Sequence, residues 1–207
     1  MEHDRDGKPD VDVPSTGSVT TVGGTAGMVR RRRERKVRVM KPAKLAHSSG
    51  HIPGINIGTT WRSRALCYHA QVHMHSRAGI HGSKYHGAYS IALSSPHYGD
   101  KDEGDIIYYT GAGSRLKDYY GPQIHDQTWD GQGNGALKLS CSTGKPVRVV
   151  RGSKAASDFA PTEGYRYDGL YTVIKAWIEK NDNDLDVCRF KLERVPGQPP
   201  LPRRPPQ

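Results

Sequence analysis

The chain is poor in the residues that usually fill a large apolar core: it has two Phe, three Trp and four Met among 207 residues. It also lacks any run near the roughly 20 apolar residues of a membrane-spanning helix, and its N-terminus lacks the apolar segment of a secretory signal. Cysteine is scarce, with Cys67, Cys141 and Cys188 far apart and no C-x-x-C spacing. An odd count so spaced argues against a disulfide framework or a cysteine-built zinc site. It fits reduced thiols, so a soluble intracellular protein that meets no membrane is expected.

What is present is glycine, tyrosine and positive charge: 24 Gly, 11 Tyr and a formal net charge of +10. Residues 1–49 hold 11 Lys/Arg against 6 Asp/Glu, whereas residues 50–194 hold 18 against 15. Nonspecific attraction to a polyanion therefore sits mainly in the tails, and specificity in the body has to come from local geometry. The sequence reads as a disordered basic tail over 1–49, a domain over 50–195 and a Pro-rich tail over 196–207. Arg30–Arg33, Arg35 and Lys36 form the densest charge run, a pattern of nuclear-localisation or phosphate-binding segments. Pro199, Pro202 and Arg204 match the P-x-x-P-x-R pattern of SH3 ligands, which offers the tail a route to a chromatin-protein partner.

Short β-prone runs recur at Gly58–Met74, Ala88–Leu93, Asp105–Thr110, Ala136–Ser140, Val147–Arg151, Tyr171–Trp177 and Val187–Leu192. Turn residues such as Gly131–Gly135 and Gly144-Lys145-Pro146 punctuate them, as expected for a sandwich or barrel. The best helical stripe falls within residues 76–90. Tyr167-Asp168-Gly169 reads as a turn in which Asp168 bonds nearby backbone groups.

Four collinear blocks resemble the SRA (SET- and RING-associated, or YDG) family. They are His51–Ile55 with Gly58–Trp61, Ala78–Gly82 with Gly87–Ile91, Gly104-Asp105 through Tyr109-Thr110-Gly111, and Gly144–Arg151 with Tyr165–Tyr171. The resemblance implies an α+β, mainly β fold: a PUA-like twisted β-barrel with a few short flanking helices. It also implies that the domain reads 5-methylcytosine, or 5-hydroxymethylcytosine, in double-stranded DNA by flipping the base into a pocket. An extruded base needs flat stacking partners and polar groups on its Watson–Crick edge, and a carboxylate is the natural partner of the cytosine N4 amine.

By that resemblance Asp100 is the base-edge carboxylate, Tyr109 one stacking face and Thr110 part of the wall near the 5-methyl group. The second stacking ring is His97 or Tyr98, with Tyr98 favoured by a one-residue loop shift. Ser94 and Ser95 supply backbone amides for the cytosine carbonyl, whereas Pro96 has none to give. Arg77 is placed to fill the gap left by the base, and Arg115 and Lys117 lie on a second, shortened loop. The short loop predicts little dependence on the methylation of the opposite strand. No cofactor, metal or catalytic set is expected, and the nucleus is the expected location. Two alternatives stand beside this reading: a metal-dependent nuclease using His69, His73 and His75 with the acids of Asp100–Asp105, and a basic chromatin adaptor without methyl specificity.

Overall fold

The computed structural model describes residues 47–96, 99–113 and 122–205. In chain order these form β1 (Thr60–Trp61), α1 (Arg64–His69), β2 (Ile80–Ser83), β3 (Gly87–Leu93), β4 (Lys101–Asp102) and β5 (Ile106–Thr110). They continue as α2 (Gln132–Thr143), β6 (Val147–Gly152), β7 (Tyr165–Lys180) and β8 (Asp186–Arg194). The sheet runs β2-β3-β6-β7-β8-β5-β4, with β1 added on β7. Every pairing is antiparallel except β3 with β6. The expected mainly β, α+β architecture with short helices is what the chain adopts.

Two apolar clusters hold the sheet. β3 is buried along all seven residues because both of its faces are covered. Ile91 and Leu93 join the larger cluster with Ile107, Leu137, Val149, Tyr171, Phe190 and Leu192. Ala92 joins the smaller one with Ile52, Cys67, Val72, Val150 and Tyr167. The sheet curls strongly. β2 and β5 are far apart on the strand path, yet a Cβ added at Gly79, just before β2, would fall 2.4 Å from the Tyr109 hydroxyl on β5. Among the described residues no ladder closes the path, and its edge strands are short, four residues in β2 and two in β4. Short edges present few unpaired backbone groups, which limits edge-to-edge association.

Four local expectations are corrected. The β-prone run 58–74 contains α1: between Ser63 and Gln71 there is no β-branched residue, and Ser63 caps the helix through its side chain. The helical stripe sought within 76–90 is instead the antiparallel β2–β3 pair. The longest described helix is α2, where a strand was expected at Ala136–Ser140. Its glycines misled the reading because they serve close packing rather than a turn. A Cβ at Gly135 would lie 2.7 Å from the Trp129 carbonyl oxygen, and one at Gly133 would lie 3.1 Å from Ile80.

The fourth correction concerns Tyr167-Asp168-Gly169, which lies inside β7 and is not a turn. Asp168 accepts from the Arg151 and Arg166 guanidiniums. Tyr167 bonds His51 at 2.8 Å. Gly169 has φ +100°, and a Cβ there would lie 2.3 Å from Gln198 Oε1. Gln198 in turn bonds the backbone N–H and C=O of Leu170. The C-terminal segment is thus fastened to the sheet, and Arg204 donates to the carbonyls of Ser153 and Pro161. The arginine of the SH3-like pattern is thereby engaged by the domain itself.

Candidate nucleic-acid interface

Asp100 immediately precedes β4, the antiparallel partner of β5. The Thr110 amide donates to Asp100 Oδ1 at 2.8 Å. Burial pushes the Asp100 carboxyl up to about 6, against the lowering effect of the Thr110 hydrogen bonds and the charge of Arg189. Among the described residues it makes no ion pair. It is therefore a carboxylate held in place by an amide, ionised at neutral pH and not neutralised by a direct cationic partner.

Arg189 on β8 pairs in register with Thr110. Its Nη1 donates to Thr110 Oγ1 and, at 2.9 Å, to the Gly99 carbonyl. Its Nε lies 2.8 Å from Glu179 Oε1 without hydrogen-bond alignment. Arg189 thus ties the start of the Asp100 segment to the end of β5. The residues after Thr110 are fixed as firmly. Gln127 Nε2 donates to the Gly111 carbonyl, and Asn134 bonds both the N–H and C=O of Ala112. A Cβ at Gly111 would lie 2.7 Å from both Asn134 Oδ1 and Gln127 Oε1, so glycine is required beside Thr110.

Tyr109 is buried in the larger apolar cluster, with its hydroxyl against Gly79. Gly79 also belongs to the loop that carries Arg77, which is exposed. Ser94 accepts from Arg64 Nη1 at 3.1 Å, and the other terminal nitrogen of Arg64 donates to the Ala78 carbonyl. Ser95 is buried. The structure thus links Ser94 to the Arg77 loop through Arg64, that loop to Tyr109 through Gly79, and Asp100 to Thr110. His97, Tyr98, Arg115 and Lys117 lie outside the described residues.

Sequence reading did not single out Arg64, Gln127, Asn134 or Arg189. Their hydrogen bonds at the site bridge separations of 14 to 90 residues, and no local spacing signals them.

The three histidines of the metal reading form no ligand set, although the His73 and His75 rings lie edge to face at 6.2 Å. His69 ends α1, and His73 is buried, bonding Ser90 and Arg64. Burial first, with Arg64 nearby, lowers the His73 ring well below its ordinary value. His75 is exposed, and residues 70–79 form no strand that could align them. Among the described residues no group of three or more His, Cys, Asp or Glu is arranged to hold a metal ion. No described helix is long and apolar enough to cross a membrane.

Residues 48–198 match the SAD/SRA domain. The chain belongs to the SAD/SRA domain family. A UHRF1-like protein of Cryptococcus neoformans var. grubii is 44% identical over 167 residues, which are 75% of this chain and 48% of that protein. The chain thus spans about half the length of that relative. Among solved structures, a modification-dependent TagI restriction endonuclease is 39% identical with a TM-score of 0.68, over 72% of this chain and 52% of that one. The SRA domain of SUVH5, solved with hemimethylated CG DNA, is 36% identical with a TM-score of 0.63, over 75% of this chain and 99% of that one.

Proposed function

We propose that this SRA domain reads 5-methylcytosine in double-stranded DNA by flipping the base into the pocket at Asp100. The observation that carries this reading is the Asp100 carboxylate. It is fixed by the Thr110 amide, lacks a direct ion-pair partner among the described residues, and suits the amine on the cytosine edge. The ionised carboxyl accepts from the cytosine N4 amine. The amides of Ser94 and Ser95 donate to the base carbonyl, and Pro96 restricts that set to two. Tyr109, held by the core before any base arrives, gives one stacking face, and His97 or Tyr98 gives the other. Thr110 lines the 5-position, with its hydroxyl already engaged by Arg189. Arg77 enters the vacated space and bonds the orphaned guanine, with Arg115 and Lys117 contacting the groove from the second loop.

In this reading the chain performs no chemistry on the base and needs no cofactor; enzymatic consequences come from other modules or partners. Its setting is the nucleus, where methylated DNA is the ligand. The test is competition binding with otherwise identical duplexes carrying cytosine, 5-methylcytosine or 5-hydroxymethylcytosine, together with 2-aminopurine fluorescence beside the target. A preference for a modified duplex accompanied by an unstacking signal supports base reading. Equal affinity for all three duplexes contradicts it.

A further inference from the structure

A second basic feature lies away from Asp100. β1 and Arg62, the turn Ala160–Gly164 and the C-terminal Arg203–Pro205 enclose a groove of about 470 Å³. Four arginines line it, Arg62, Arg166, Arg203 and Arg204, against a single acid, Glu163. Arg166 is neutralised by Asp168. The other three make no ion pair among the described residues. Arg204 is fixed by two backbone carbonyls, which leave its charge uncompensated, and its Nε is buried without a partner. Arg203 stacks on Phe159, with its Cζ 5.1 Å from the ring centroid. Arg62 and Arg203 are exposed.

We propose that this groove is a second DNA contact, one that holds a backbone phosphate of the strand flanking the flipped base. Three unneutralised guanidiniums on fixed walls suit a tetrahedral oxyanion, because the planar fork of arginine matches phosphate oxygens. The groove also lies close along the chain to the proposed base pocket. Arg62 lies two residues before Arg64, at most about 7 Å along the backbone. Arg64 bonds both Ser94 and the Ala78 carbonyl on the pocket rim. A strand offers a phosphate about every 3.4 Å along the duplex axis, so one a few nucleotides from the target reaches the groove. The C-terminal segment thereby contributes to DNA affinity without reading the base.

This inference rests on the duplex-binding function proposed above. Its test measures the salt dependence of binding to one unmodified and one methylated duplex, for the wild type, Arg62→Gln, Arg203→Gln and the double variant. Lys145→Gln serves as control, since Lys145 is exposed and outside the groove lining. The slope of log K against log salt is expected to flatten by about 0.9 for each arginine removed. The preference for the methylated duplex is expected to persist, and Lys145→Gln is expected to match the wild type. Both substitutions are at exposed side chains, and a thermal melt of each variant checks folding. Unchanged slopes in folded variants, or the same flattening in Lys145→Gln, overturn the groove contact and leave the base pocket standing. Loss of methyl preference in the double variant also overturns it, by assigning these arginines to base reading. Absence of wild-type binding to either duplex overturns both proposals.

Discussion

Asp100 and Asp102 stand two residues apart, both largely shielded from water, and they are treated in opposite ways. Arg151 grips Asp102 with two hydrogen bonds of 2.8 Å, and Ser157 adds a third. Burial alone would raise the Asp102 carboxyl, but Arg151 and Ser157 outweigh it and hold the group below its ordinary value. Arg151 also reaches Asp168, the Gly104 carbonyl and the Tyr171 hydroxyl, so Asp102 closes a network joining β4, β6 and β7. Asp100 has the Thr110 hydrogen bonds and only the more distant charge of Arg189, and burial prevails. One carboxylate is consumed by the fold; the other is positioned by it and left able to accept from a ligand.

The largest effect expected from breaking this contrast is on stability. Asp102→Ala leaves Arg151 buried with half its carboxylate partners gone, at a cost of about 3–5 kcal/mol. Chemical denaturation should show that loss, while Asp100→Asn should unfold no earlier than the wild type. A drop of similar size in both would erase the distinction.

The second effect is a pH dependence. The folded state holds a proton on Asp100 up to about pH 6, whereas the unfolded chain releases it near the ordinary 3.8. Between those values the folded state binds more protons, so this group makes stability fall as pH rises through the window. Comparing wild type with Asp100→Asn from pH 4 to 7 should show that component vanish in the variant. Identical profiles would contradict the assignment.

Arg189→Met sharpens the contrast further by removing the nearest cation. The Asp100 midpoint, followed by carbon-13 NMR of its carboxyl, should move upward, and methyl preference at pH 7 should fall several-fold. A downward shift would show that Arg189 does not act on Asp100. The smallest expected change is that of Arg77→Ala, in which affinity drops a few-fold while the preference for the methylated base is kept.

The Tyr-Thr-Gly strand end was legible in the sequence because it is a short contiguous block, whereas Asp100 and Arg77 were singled out only through the family resemblance. Asp102 was not distinguishable there from its acidic neighbours, since its role depends on Arg151, which lies 49 residues away. Asp168 was misread because its partners are guanidiniums, Arg151 17 residues away on β6 and Arg166 two residues away on β7, rather than local backbone. Glycine was the other source of error. Turn signals and close-packing signals look alike in sequence, so the α2 glycines suggested a break where the helix instead approaches Ile80 and Trp129. The mainly β class survived those errors because β3, β6, β7 and β8 carry it through β-branched and aromatic residues.

The most direct test of the central claim is the affinity ratio of a methylated to an unmodified duplex for wild type and Asp100→Asn, measured at pH 7.5. Removing the charged acceptor should cost about 1.5–3 kcal/mol of base-specific binding. The preference should therefore collapse by roughly ten- to a hundred-fold while salt-sensitive binding to unmodified DNA persists. A folded Asp100→Asn variant that keeps the wild-type ratio would contradict the account.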